Sequence, residues 1–269
     1  MATFYYFVRD YKNKNFGLVD EKAWEIFNKI DFDFSKFDLS FTGWGDVTWG
    51  SRHWNLDQEI KKFIKKHPRA TIIELGAGFN TTFFRNDNGE IRFYDNDLPE
   101  LIEIKKKLIP ETARYKYLAK SFFDNWFEDV EDQGDGTLIV TNCALFLHPE
   151  KDIRNLFVSL AEHLPDSDFV FDIHSKQDIA TGNNILSGIG SVIREKWAIK
   201  RVKEINKWDS RIEIIDQYSL YSKIQRRREW DEMYTNYKVG DKKITINEAM
   251  DIVDNTKNAQ IVHIHFKKC

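Results

Sequence analysis

Three groups of residues in this 269-residue chain have the types and spacing to do chemistry. The first is "ELGAG", Glu74 to Gly78, which closes the apolar, β-branched run that starts at Ala70. A glycine pair after a strand lets the backbone approach a ligand where a Cβ would collide. A helix that follows adds free N–H groups and a positive dipole end. The second group is "YDNDLPE", in which Asp95 and Asp97 lie 21 and 23 residues beyond Glu74. A carboxylate about 20 residues past such a turn is placed to accept hydrogen bonds from ribose hydroxyls. Asp97 and Glu100, with Pro99 between them, also read as the D-x-x-E of a capping box. The third is "FDIHS", where Asp172 and His174 end an apolar run. Open α/β sheets bind ligands outside such strand ends, and either side chain could take a proton from a hydroxyl. His148, just before Pro149, is a further candidate.

The elements that must position these groups can be read from periodicity. Short apolar runs at Thr71–Leu75, Ile91–Asp95, Arg114–Leu118, Thr137–Thr141 and Asp168–Ile173 predict strands. A helix over Lys151–Leu164 is predicted by Ile153, Leu156, Phe157 and Leu160 on one face. This alternation implies a parallel sheet covered on both sides. "RIEIIDQYSLY" and "QIVHIHF" supply two later strands, for seven in all, and the stretch between Lys176 and Arg211 predicts a helical insertion or lid. Residues 1–69 read as a helical N-terminal cap, with a loop at "FTGWGDVTWGSRHW" and a short helix capped by Asp57 and stopped by Pro68. The expected organisation is one domain over 1–269: the cap, a ligand-binding core at 70–175, and a substrate-side insertion with the last two strands at 176–269.

Composition narrows the function classes. A net charge of −3 indicates no general attraction to nucleic acid or anionic membrane. Cys143 and Cys269 cannot form a disulfide framework, and the opening "MATFYYFVRD" lacks the apolar core and cleavage site of a signal peptide, so a cytoplasmic location is expected. His263 and His265 share a strand face without a recognisable acidic or cysteine partner in sequence, so they read as structural and no metal site is expected. The aromatics Phe4, Tyr5, Tyr6, Phe7, Trp44, Trp49 and Trp54 could pack in the core or cover a ligand.

The turn itself leaves two cofactor classes open. A dinucleotide fingerprint would need a third glycine where Thr81 stands. The E-x-G-x-G of Glu74, Gly76 and Gly78 instead resembles the cofactor loop of class I S-adenosylmethionine (SAM) methyltransferases, which bind no pyrophosphate. At greater length, "ELGAGFNTTFFR" followed by "FYDNDLPELIEIKKKLIPE" resembles the leucine carboxyl methyltransferase family, which includes polyketide O-methyltransferases. "SRHWNLDQEIKKFIKKHP", "TNCALFLHPEKDIRNLF" and "FVFDIHS" are similar to other family segments, in the same order.

The resemblance implies a Rossmann-like seven-stranded sheet, SAM as cofactor, and methyl transfer to a carboxylate or hydroxyl of a small-molecule metabolite. It implies that Arg52 pairs with the SAM carboxylate and that Glu74, Gly76 and Gly78 form the methionine side of the site. Asp97, or alternatively Asp95, would bind the ribose, Ser121 and Phe122 would lie beside the adenine, and Asn142 would stand near the cofactor. Asn80 and Asn142 replace family carboxylates, and Leu147 stands where the family often has Tyr. Those departures keep a SAM-binding protein without turnover as the alternative; a nucleotide-dependent oxidoreductase is a third reading.

Overall fold

The computed structural model describes residues 18, 20–33, 44–188, 191–233, 238–239 and 242–268. Two helices, α1 (Glu21–Lys29) and α2 (Trp44–Lys66), precede the sheet. Then come β1 (Thr71–Leu75), α3 (Thr82–Asn86), β2 (Arg92–Asp97), α4 (Pro99–Leu108), β3 (Tyr115–Ala119), β4 (Thr137–Thr141), α5 (Glu150–His163), β5 (Ser167–His174) and α6 (Lys176–Gly188). The chain continues through β6 (Ile212–Ser219), α7 (Arg228–Met233), α8 (Ile246–Thr256) and β7 (Ala259–Phe266), with a small hairpin, Lys238–Val239 against Lys242–Lys243, before α8.

The seven strands lie in the order β3-β2-β1-β4-β5-β7-β6. The first five are parallel, and β7 runs antiparallel between β5 and β6. Neighbouring residues of one strand feed two separate cores, because successive side chains leave a pleated strand on opposite faces. Ile72, Leu138, Val140 and Val170 pack with α1, α2 and α4. Ile73, Ile139, Phe169 and Phe171 pack with α5 and the 202–207 turn. Each fully buried side chain of this kind contributes about 1.5–3 kcal/mol. The predicted seven-stranded α/β sheet, helical on both faces, is therefore the observed architecture.

Three local expectations are corrected. The Gly- and Trp-rich stretch is not a loop from Trp44 onward: it is the first half of α2, and Asp57 is a buried interior residue of that helix, not its cap. Gly45 and Gly50 each cost the helix about 1 kcal/mol in propensity. Burial of Val47, Leu56, Ile60 and Phe63 against the sheet outweighs that cost. The D-x-x-E pattern at Asp97 is no capping box either. Leu98 is the N-cap residue and Asp97 turns elsewhere, whereas a true capping box forms at Thr245 and Glu248. The 176–211 segment holds one α-helix, α6, which ends at Gly188, and a 3-10 helix at Val202–Lys207. Phe4, Tyr5, Tyr6, Phe7 and the Trp44 side chain lie outside what is described.

Candidate active site

Every carboxyl end of β1, β2, β3 and β4 meets at the glycine turn. Gly76 and Gly78 have φ of +66° and +52°, a backbone region that L side chains rarely occupy. A Cβ on Gly76 would sit 2.8 Å from Ala144 Cβ, just beyond β4, and 3.7 Å from the Phe122 ring, just beyond β3. A Cβ on Gly78 would meet nothing within 4 Å, so that glycine borders open space. From the end of β2, Asp97 Oδ2 accepts the Gly78 amide at 2.8 Å and Oδ1 accepts the Leu98 amide at 2.8 Å. Asp97 is half-buried, and each of its oxygens keeps a lone pair for a ligand hydroxyl.

Asp95 and Glu74 have other work. Asp95 is buried, pairs with Lys105 Nζ at 2.6 Å and accepts from the Tyr115 hydroxyl. Lys105 also donates to Asn80 O at 2.7 Å, tying α4 to the glycine loop. Asp95 is thus enclosed by protein, whereas Asp97 is the half-buried carboxylate of the two. Glu74 lies fully buried behind the turn, its Oε1 accepting from Asn80 Nδ2 at 2.7 Å. Burial, with Asp95 nearby, lifts its carboxyl to about 7. It braces the turn from behind and does not line it. This contact explains why an amide suits position 80: an aspartate there would put a second carboxylate against Glu74.

Ser121 and Phe122 stand where the third strand's end predicts. Phe122, Phe123 and His148 form an aromatic cluster, with ring centroids 4.5 to 5.2 Å apart. A cleft of about 400 Å³ opens beside it, between Phe122 and Phe123 and the Asp152 and Asn155 side of α5. Asn142 is half-buried at the end of β4, and its Oδ1 accepts from Cys143 Sγ at 3.0 Å.

At the end of β5 the structure brings together three residues predicted for different roles. Arg52, from α2, forms an ion pair with Asp172, and its Nη2 approaches His174 Nε2 at 2.6 Å. All three are buried. Asp172 Oδ1 also accepts the Cys143 amide at 2.9 Å, at a residue with φ of +62°. Burial, reinforced by Arg52, pushes the His174 pKa well below its ordinary value, so the ring is neutral and Nε2 accepts from the guanidinium. Asp172 and the Nε2 lone pair of His174, the two groups expected to act on a substrate proton, are both engaged by Arg52. The Arg52 Nε is enclosed and has no partner among the described residues.

Sequence reasoning missed the supports around this site. Arg85 donates to Asp57 at 2.8 and 3.1 Å and to Asp20 at 2.8 Å, clamping α1 and α2 to the helix after the glycine turn. Lys105, Cys143, Asp178 and Glu195 were likewise unmarked; Cys143 and Glu195 meet partners 29 and 21 residues away, whereas Asp178 lies four residues from His174. His263 and His265 do have an acidic partner: Asp168, at 3.0 and 2.7 Å. Among the described residues no group of His, Cys, Asp and Glu is arranged to hold a metal ion.

The strand order and the turn at the end of β1 define the class: this is the class I methyltransferase fold. A crystal structure of a DUF574 family protein from Streptomyces avermitilis shares it, with a TM-score of 0.60, 11% identity, and coverage of 95% of this chain and 99% of that one. So does a chain in the complex between the Haloferax volcanii Trm112 methyltransferase activator and a methyltransferase, with a TM-score of 0.53, 15% identity, and coverage of 84% and 99%. In sequence, a model of the leucine carboxyl methyltransferase family matches residues 11–148, and the chain belongs to that family. It is also 27% identical over 157 residues to the tetracenomycin polyketide synthesis O-methyltransferase TcmP of Streptomyces glaucescens, a match covering 58% of this chain and 57% of that protein.

Proposed function

We propose that this chain transfers a methyl group from SAM to an oxygen, of a carboxylate or a hydroxyl, on a small-molecule metabolite. The observation that carries the reading is the cradle at the β1 turn: Gly78 borders open space while its amide is held by Asp97. Membership in a methyltransferase family supports it, as does the similarity to an enzyme whose name specifies O-methylation.

The residues present fit the cofactor. Gly76 and Gly78 allow close approach of the methionine portion, and a Cβ at Gly78 would fill the space it needs. Asp97 would accept from the ribose hydroxyls, with Ser121 and Phe122 beside the adenine. The unpartnered Arg52 Nε and Asn142 would serve the cofactor's polar end. When bound, SAM supplies a methyl group on a sulfonium, with a neutral thioether as leaving group. The protein's part is to orient the acceptor oxygen in line and to exclude water.

In this reading the whole chain works as one domain: residues 1–69 are its cap, 70–175 hold the cofactor, and 176–269 border the substrate. No described helix is long and apolar enough to cross a membrane, and a cytoplasmic location with no nucleic-acid partner is part of the proposal. The test is thermal unfolding with SAM, S-adenosylhomocysteine (SAH) and NAD in parallel. A ligand at 100 times its Kd adds about 2.7 kcal/mol of stability. A shift with the two adenosyl compounds alone is expected; a shift with none, or with NAD alone, would overturn the reading.

A further inference from the structure

Behind the glycine turn, two buried carboxylates have one cation between them among the described residues. Glu74 on β1 and Asp95 on β2 stand opposite each other in parallel register, so their side chains leave the same face of the sheet as neighbours. Lys105, itself fully buried, pairs with Asp95 Oδ2, which also accepts from the Tyr115 hydroxyl. Glu74 Oε1 accepts only from the neutral amide of Asn80. The other oxygen of each carboxylate, Glu74 Oε2 and Asp95 Oδ1, is enclosed and has no hydrogen-bond partner among the described residues.

The groups packed around the pair supply no second positive charge. On the Glu74 side, β4 places Val140 in register, and the turn and α3 bring the uncharged Asn80 and Thr82. On the Asp95 side, Asp97 adds a negative charge, and burial keeps Tyr115 and Tyr117 of β3 protonated. An enclosed carboxylate without a counter-charge takes up a proton. Burial raises Asp95 too, but Lys105 and Tyr115 both favour its ionised form. The proton therefore belongs on Glu74, whose carboxyl burial and the Asp95 charge lift to about 7. A modest change in nearby charge is enough to release it near neutrality.

We propose that Glu74 holds one proton for the pair, gives it up when a positively charged cofactor occupies the cradle, and keeps it when a neutral one does, so that the pair favours SAM over SAH. This rests on the methyl-transfer reading and names the residue that tells fresh cofactor from spent. SAM carries a sulfonium charge that SAH lacks. Gly76 and Gly78 follow Glu74 by two and four residues, so a charge in the cradle acts on Glu74 through a thin layer of backbone, where screening is weak. The Glu74 O–H bond breaks, its electron pair stays on the carboxylate oxygen, and the proton passes to the buffer. The reverse occurs once the cradle holds a neutral sulfide.

The test is calorimetric titration of the full chain with SAM and with SAH at pH 6.5, each in phosphate and in Tris, whose different ionisation heats count the protons released. For a tenfold change in the Glu74 ionisation constant, SAM should release about half a proton more than SAH. The ratio of the SAH Kd to the SAM Kd should rise about fivefold from pH 6 to pH 8; taking the ratio cancels the amino group that both ligands share. Glu74→Gln, the neutral isostere of the protonated side chain, should abolish both effects. Without ligand, a raised carboxyl stabilises fully below about 4.5 and loses that contribution as pH rises through about 7. The urea-unfolding constant of the unaltered protein, measured against Glu74→Gln, should therefore shift toward unfolding by about 10²-fold over that window and level off beyond it. Equal proton release with the two ligands, a ratio that does not move with pH, or a flat difference between the two proteins from pH 4.5 to 7 would overturn the proposal. If neither ligand binds, the methyl-transfer reading falls and this inference with it; if both bind and release protons alike, only this inference does.

Discussion

Arg52 and Arg85 are buried equally, each 3% exposed, and they differ in what surrounds them. Arg85 faces two carboxylates, Asp57 and Asp20, which accept through its Nε and both terminal nitrogens. Arg52 faces one carboxylate and a neutral histidine, and keeps an Nε without a described partner. A guanidinium matched on every edge is a clamp, because nothing is left for a ligand. One left incompletely matched at a strand end keeps a donor whose coordination is unfinished. Burial alone does not distinguish structural from functional charge; the count of satisfied donors does.

The comparison can be broken from several directions. Arg85→Ala should have the largest effect, costing about 3–5 kcal/mol in urea unfolding, because two buried carboxylates lose their cation. If the loss is below ~1 kcal/mol, the clamp has been misread. Gly76→Ala should come next, at about 1–3 kcal/mol, combining a positive φ with a contact on Ala144. Gly78→Ala has the same φ problem without the collision, so it should lose SAH affinity more than stability; equal losses for the two variants would deny that Gly78 borders the ligand.

Linkage offers a third approach, at a site remote from both arginines. Bonds from His263 to Asp168, with Glu59 nearby, raise the histidine to about 9 against the cost of burial, and Glu59 falls to about 2 despite its own burial. The histidine's contribution is complete below its unfolded pKa near 6.5 and is lost as pH rises through about 9. The glutamate's is complete above about 4.5 and fades as pH falls toward 2. The unfolding free energy from denaturant titrations should therefore decline between pH 6.5 and 9, by of order 1–3 kcal/mol, and His263→Gln should flatten that slope. Arg52→Lys should have the smallest effect on folding, about 1 kcal/mol, since a lysine can still pair with Asp172. Its SAH affinity should drop about tenfold; an unchanged Kd would remove Arg52 from the cofactor site.

Much of this molecule is legible in its residues. The β1 turn, the strand segments and the amphipathic α5 follow from local periodicity and from glycine's access to positive φ. Spacing to the turn marks Asp95 and Asp97 alike. What spacing could not supply is partner choice. Asp95 and Asp97 are equivalent in sequence, and only the packing of Lys105 and Tyr115 against one of them separates an internal ion pair from a half-buried carboxylate on the glycine turn. Asp57 looks like a helix cap until Arg85 is brought beside it across 28 residues.

The sequence by itself therefore determined the class of sheet, the glycine cradle and the identity of the residues at the strand ends. These are set by local preferences that each segment carries with it. The tertiary structure alone decided which charges are spent on one another. It made Asp172 and His174 partners of Arg52, and it brought Glu195, from a segment beyond the family match, beside the same histidine. Ion pairing falls steeply with distance and depends on burial, so it exists only once distant segments are packed together.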